Sequence, residues 1–121
     1  MTNQRMNFVR VKVIALAVAD FERAMRFYGE TLGLPDAFEG GRQVGSQLGD
    51  VVLMFKTDWY GRPTDSPNPR VTIETEDARA TEVALRERGV TIADPVERFD
   101  DYLVGSCLDS EGNKLWFCSG D

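Results

Sequence analysis

The sequence predicts an α+β fold made of two βαβββ modules, and three observations predict it. A strand, an aspartate cap, a helical repeat and a glycine stop occur from residue 12 onward and again from residue 70, with the two aspartates 57 positions apart. A stretch dense in proline and turn-forming residues divides the chain near its middle. Of the 121 residues 42% are apolar, enough for one shared core and cramped for two. The expected organisation is a single domain over 1–121, with module 1 at about 8–57, a linker at 58–69 and module 2 at about 70–119.

Lys12 to Val18 reads KVIALAV, in which larger apolar residues alternate with Ala15 and Ala17, as in a strand with two unlike faces. Asp20 then stands where a helix N-cap belongs, and Phe21, Ala24, Met25, Tyr28 and Leu32 follow at helical spacing. Gly33, Leu34 and Pro35 supply a C′ glycine, a hydrophobic C″ residue and a stop. Gly29 inside this helix costs about 1 kcal/mol relative to alanine. After a glycine-rich turn at Glu39 to Arg42, strands near Gln43 to Gln47 and Val51 to Lys56 form a hairpin around Leu48-Gly49-Asp50. Asp58 to Pro69 is the linker.

The pattern then recurs. RVTIETED is a strand, Asp77 an N-cap, and ARATEVALRER a helix ending at Gly89 and Val90. Asp20 to Gly33 spans 13 positions and Asp77 to Gly89 spans 12. Strands near Val90 to Ala93, Tyr102 to Leu108 and Lys114 to Cys118 complete the second half, the last two joined by DSEGN with Gly112 free to take positive φ. The result is a weak internal repeat of two βαβββ units.

Composition removes several function classes. The net charge is −6 and no window gathers the Lys/Arg cluster that a nucleic-acid binder needs. The opening residues carry no apolar signal region, and the longest apolar run, Val13 to Ala19, is too short to span a bilayer, so a cytoplasmic protein without membrane contact is expected. Two cysteines, Cys107 and Cys118, read as reduced thiols, with a disulfide between them the minor alternative. There is no histidine. That removes the usual neutral-pH general base, the commonest transition-metal ligand and every Ser-His or Cys-His pair, leaving carboxylates, Tyr, Lys or Cys for any chemistry.

The arrangement resembles the vicinal oxygen chelate superfamily, which includes glyoxalase I, extradiol dioxygenases, fosfomycin-resistance enzymes and bleomycin-resistance proteins. The resemblance rests on D-x-x-x-A-x-x-F-Y-x-x-x-L-G-L at Asp20 to Leu34, on the D-x-x-G-N turn at Asp109 to Asn113, and on their order along nearly the whole chain. It implies half-open, mixed-sheet barrels around a cavity. It also implies where a metal would be held in the family's metalloenzymes: seven residues before the first cap, three residues after the Asn of the closing turn, at the start of the second half, and on the inner strand of the first. Here those positions hold Val13, Trp116, Arg70 and Met54. A divalent ion needs deprotonated N, O or S ligands, and these four offer at best one thioether. No metal or other cofactor and no catalytic residue is therefore expected.

Strand alternation extends these positions to a cavity-facing set: Val13, Ala15 and Ala17; Val52, Met54 and Lys56; Arg70, Thr72 and Glu74; Lys114, Trp116 and Cys118. Ile14, Leu16, Leu53, Phe55, Leu115 and Phe117 fall on the core side. The candidate ligand-binding residues are Phe38, Met54, Trp59, Arg70, Thr72, Glu74, Tyr102 and Trp116. Met54 and Trp116 would give a polarizable flat wall, unless they merely fill a collapsed core. Arg70 and Glu74 either orient a polar ligand or, as the favoured alternative, neutralise each other. Phe38, Trp59, Tyr60 and Tyr102 would rim the cavity, stacking on a planar ligand or forming a subunit interface.

The expected function is that of a metal-free binding or sequestering protein resembling the bleomycin-resistance branch, a homodimer taking a planar aromatic or cationic ligand, with antibiotic resistance as one outcome. The alternative is a metal-dependent lyase, isomerase or dioxygenase of the same superfamily with a displaced metal site formed by Glu74, Asp100 or Asp101. A metal-independent enzyme using Glu74 or Tyr102 as acid or base is the third.

Overall fold

The computed structural model describes residues 9–58 and 61–120. Its elements are β1 (Val13–Ala17), α1 (Phe21–Arg26), β2 (Asp36–Glu39), β3 (Arg42–Leu48), β4 (Val51–Lys56), β5 (Thr72–Glu74), α2 (Ala78–Glu87), β6 (Ile92–Phe99), β7 (Tyr102–Leu108) and β8 (Lys114–Gly120). They form two four-stranded mixed sheets of identical plan, ordered β1-β4-β3-β2 and β5-β8-β7-β6. In each, the first strand runs parallel to the last and the other pairings are antiparallel. The expected α+β architecture of two βαβββ modules is therefore present, and neither sheet closes into a barrel.

Both helices begin and end as their sequences require. The Asp20 carboxylate accepts from the Arg23 amide at 3.0 Å, and Asp77 accepts from the amides of Arg79 and Ala80 at 3.1 and 3.2 Å. Gly33 and Gly89 both take φ of 77°, and the amides of Leu34 and Val90 reach back six and five residues respectively, to the carbonyls of Tyr28 and Leu85 at 2.9 Å. These are Schellman closures, which need a residue tolerant of positive φ.

Three local expectations change. The first helix does not stay α-helical to Leu32: from Phe27 to Thr31 it widens into a π-helical turn, closed by the Leu32 amide on the Phe27 carbonyl at 2.9 Å. Gly29, the weakest helix former of the segment, lies in this turn. An additional strand, β2, precedes the glycine turn. Only Ala37 of its four residues is buried, and a register shift at Ala37/Phe38 breaks its ladder, so it lacks a strand's apolar alternation. Finally, β6 continues through Pro95 to Phe99. It is an edge strand whose register slips between Asp94 and Glu97, where a proline costs no regular ladder bond.

One hydrophobic core joins the modules, with Tyr28, Leu53 and Phe55 from the first packed into the same cluster as Leu85, Leu115 and Phe117 from the second. The Asp109–Asn113 turn fastens them further. Asp109 accepts from the Tyr28 hydroxyl at 2.7 Å and from the Glu111 and Asn113 amides at 2.8 Å. Burial keeps the Tyr28 phenol protonated, so it is an obligate donor there. The Asn113 side chain donates to the Ala17 carbonyl at 2.9 Å and accepts from the Thr64 amide at 2.9 Å. Glu111 reaches the start of α1, accepting from the amides of Ala19 and Asp20 at 2.9 Å and from Arg23 at 2.7 Å. Asp109, Glu111 and Asn113 of this turn thus each cross to the first module or the linker.

Candidate functional site

Strand alternation sends Leu53, Phe55, Leu115 and Phe117 into the core beneath the helices, each 4% exposed or less. Their neighbours Val52, Met54, Lys56, Lys114, Trp116 and Cys118 are only half-buried and face the other way. This leaves each sheet with one helix-covered face and one open face. On the open face of the second sheet, Thr72 stands opposite Trp116 and Glu74 opposite Cys118. Trp116 in turn lies opposite Ser106, and Tyr102 opposite Gly120 at the far corner.

The chemistry gathers around Trp116. The Arg70 guanidinium lies 3.9 Å from the centroid of the indole ring, and the Lys114 ammonium lies 5.2 Å from it, both within cation–π range. Lys114 also bonds to Asp94 at 2.9 Å, and Asp94 accepts from the Ser106 hydroxyl. The Ser106 hydrogen bond first, and the Lys114 contact after it, hold the Asp94 carboxyl below its ordinary range. Asp94 thus stays ionised and holds the Ser106 hydroxyl and the Lys114 side chain together beside the indole.

The predicted site residues divide. Arg70, Thr72, Glu74 and Trp116 share the open face of the second sheet, with Tyr102 at its exposed corner. Met54 lies on the first sheet, in a hollow of about 480 Å³ with Glu39, Arg42, Gln43 and Lys56. Phe38 is exposed on edge strand β2. Trp59 and Tyr60 lie outside the described residues. The Arg70–Glu74 ion pair favoured from sequence does not form among the described residues, because Arg70 stacks on Trp116 instead. A second open-face hollow of about 250 Å³ runs between Ala15 and Ala17 of β1, Arg70, Lys114 and the linker. A third, more apolar hollow lies on the helix-covered side and contains only Trp116 of the predicted set.

Asp94 and Ser106, which join Lys114 beside the indole, fall outside the residues singled out from sequence. Asp94 falls one residue past the strand end read from sequence, at a register shift that strict alternation does not predict. Cys107 and Cys118 are both free thiols. Burial pushes Cys107 up to about 11.

A metal fits poorly here. Of the four positions that resemblance marks for ligands, Val13 and Met54 lie on one sheet and Arg70 and Trp116 are stacked on the other. The guanidinium occupies space where a cation would be repelled. Among the described residues no group of three His, Cys, Asp or Glu could hold a metal ion, and no helix is long and apolar enough to cross a membrane.

Two βαβββ sheets of identical plan, each with one open face, define the fold class of this chain. A sequence model described as Glyoxalase/Bleomycin resistance protein/Dioxygenase superfamily matches residues 10–117, and the chain belongs to that superfamily. No curated protein matches the sequence. Among solved structures, TnmS3, an antibiotic binding protein from Streptomyces sp. CB03234, is similar over 97% of this chain and 100% of its own, with 22% identity and a TM-score of 0.77. A superfamily member from Sphaerobacter thermophilus DSM 20745 is similar over 94% of this chain and 99% of its own, with 22% identity and a TM-score of 0.75. A glyoxalase-related enzyme from Fulvimarina pelagi has 19% identity and a TM-score of 0.71, over 93% of this chain and 89% of its own. At these identities the likeness is one of fold.

Proposed function

We propose that this protein binds and sequesters a planar aromatic small molecule without a metal, stacking it on the Arg70–Trp116 pair at the open face of the second sheet. The observation that carries this is the guanidinium 3.9 Å from the indole centroid, a flat platform at positions where the superfamily's metalloenzymes keep ligands. Both members of the pair stack on planar groups. Thr72 and Glu74 lie beside it to orient polar substituents, while Tyr102, at the exposed corner of the same face, would rim the ligand. Arg70 and Lys114 flank the indole, so the cationic ligand allowed by the sequence is disfavoured locally, and a neutral or acidic planar compound suits the face better. The fold likeness to an antibiotic binding protein supports an antibiotic as the ligand, with resistance by sequestration as the consequence. A second copy of the chain would cover the open face and its exposed Tyr102 and Phe99, making the working unit a cytoplasmic homodimer.

The test is calorimetric titration of planar polyketide antibiotics into dialysed protein, with metal content measured on the same sample. Saturable binding to metal-free protein, weakened tenfold or more in Trp116→Ala, is expected. Undiminished affinity in that variant, or a stoichiometric divalent metal surviving dialysis, overturns the proposal. Sedimentation at micromolar concentration tests the dimer, and a monomer that binds at full affinity removes the second copy from the site.

A further inference from the structure

A hollow of about 290 Å³ opens between the end of the first helix, the β3–β4 turn and the helix-covered face of the second sheet, with Trp116 among its lining residues. Its walls are Leu32, Leu34, Leu48, Ile73, Leu85 and Leu115, residues that either belong to the core or pack against it. The polar residues at its margin are mostly satisfied: the Thr75 and Thr81 hydroxyls bond to each other at 2.7 Å, and Thr81 donates to the Asp77 carbonyl at 3.0 Å. Cys107 lines it as a neutral thiol, its ionisation suppressed by burial. Arg88 is the one charged residue among those lining it. It sits exposed at the C-terminal end of α2, and its guanidinium makes no hydrogen bond or ion pair with the described residues.

An apolar chamber with a single unpartnered guanidinium at its margin has the chemistry of an amphiphile site. We propose that this hollow binds a medium-chain monocarboxylate, its hydrocarbon tail among Leu32, Leu34, Leu48 and Leu85 and its carboxylate on Arg88. The volume lies at the low end of the roughly 300–1,000 Å³ of small-molecule sites, which suits a short flexible chain and excludes a polycyclic ligand. The fork of the guanidinium matches a carboxylate in two parallel hydrogen bonds. The net charge of −6 works against anions in general, so selection comes from the tail as well as the head. This site shares only Trp116 with the open-face platform, and its occupancy does not depend on the function proposed there.

The experiment is an amide-resolved NMR titration with hexanoate, octanoate and decanoate, together with 1-octanol as the headless control. Shifts centred on Leu32, Leu34, Leu48 and the Thr81–Arg88 stretch are expected, with affinity rising about three- to fourfold per added methylene until the chamber is full. Arg88→Gln, at an exposed position, should weaken octanoate about tenfold, leave 1-octanol unchanged and abolish the salt dependence of octanoate binding. Shifts centred on Arg70 and Thr72, non-saturable binding, or equal octanoate affinity in wild type and Arg88→Gln would each overturn the proposal.

Discussion

Glu111 joins the modules through its charge, and the structure allows the size of that contribution to be worked out. Its side chain is fully enclosed while its partner Arg23 is 47% exposed. The Arg23 hydrogen bond first, then the backbone amides of Asp20 and Ala19 and the Ser110 hydroxyl, overcome desolvation and hold the carboxyl at about 2 instead of 4.5. At about 1.4 kcal/mol per pH unit, that difference of 2.5 units has a ceiling of about 3.4 kcal/mol. Water around Arg23 screens part of it, so we expect about 2 kcal/mol. The folded carboxyl is the more acidic one, so its stabilisation is fully present above about pH 5 and fades as pH falls toward 2. Glu111→Gln keeps an oxygen for the Ala19 and Asp20 amides and removes the charge. Urea denaturation should therefore find the variant about 2 kcal/mol less stable at pH 7, with the two proteins converging near pH 2.5. A deficit that stays constant from pH 7 to pH 2.5 would refute the electrostatic account and leave only a packing defect.

Other substitutions separate core from platform. Leu115→Ala, at a 1% exposed position, should cost about 3 kcal/mol in urea denaturation, whereas Trp116→Ala on the open face should cost about 1 kcal/mol; equal losses would make Trp116 a core residue. A Cβ added at Gly45 would meet the Leu53 carbonyl oxygen 1.8 Å away, so Gly45→Ala should destabilise by about 3 kcal/mol or more, while Gly120→Ala, in open space, should stay within about 0.5 kcal/mol in thermal melts. At pH 8 a thiol reagent should modify Cys118 far faster than Cys107, whose thiolate fraction there is about one in a thousand.

The parts of the fold legible in the sequence are those fixed by local chemistry. Asp20 and Asp77 cap because a carboxylate one residue ahead of an apolar helical repeat has few better uses, and Gly33 and Gly89 close because the Schellman geometry demands positive φ. The missed pieces are set by tertiary partners. β2 exists because β3 offers it an edge, and its own four residues give almost no apolar signal. β6 survives Pro95 because the bulge and the sheet edge excuse the missing amide, which no local rule can foresee. The π-helical turn at Phe27–Thr31 likewise coincides with a demand from far away, since Tyr28 must reach Asp109, 81 residues on.

The make-up of the open face was legible because a strand's two faces are set together. Alternation alone places Thr72, Glu74 and Trp116 on one face, because a strand of period 2 leaves no freedom once Leu115 and Phe117 are committed to the core. What alternation cannot supply is pairing on that face. Arg70 had two candidate partners, the Glu74 carboxylate and the Trp116 ring, and the exposed setting decides between them. A water-exposed ion pair contributes little after screening, whereas stacking on a half-buried indole covers apolar area and keeps the guanidinium edges hydrated. Glu74, left unpaired with Arg70, is then available to a ligand's donor group at the rim of the platform. Glu74→Gln should accordingly leave folding stability unchanged and alter affinity only for ligands carrying a hydroxyl or amine, and an equal effect on ligands that lack such a donor would mean that Glu74 acts through the field of the whole face.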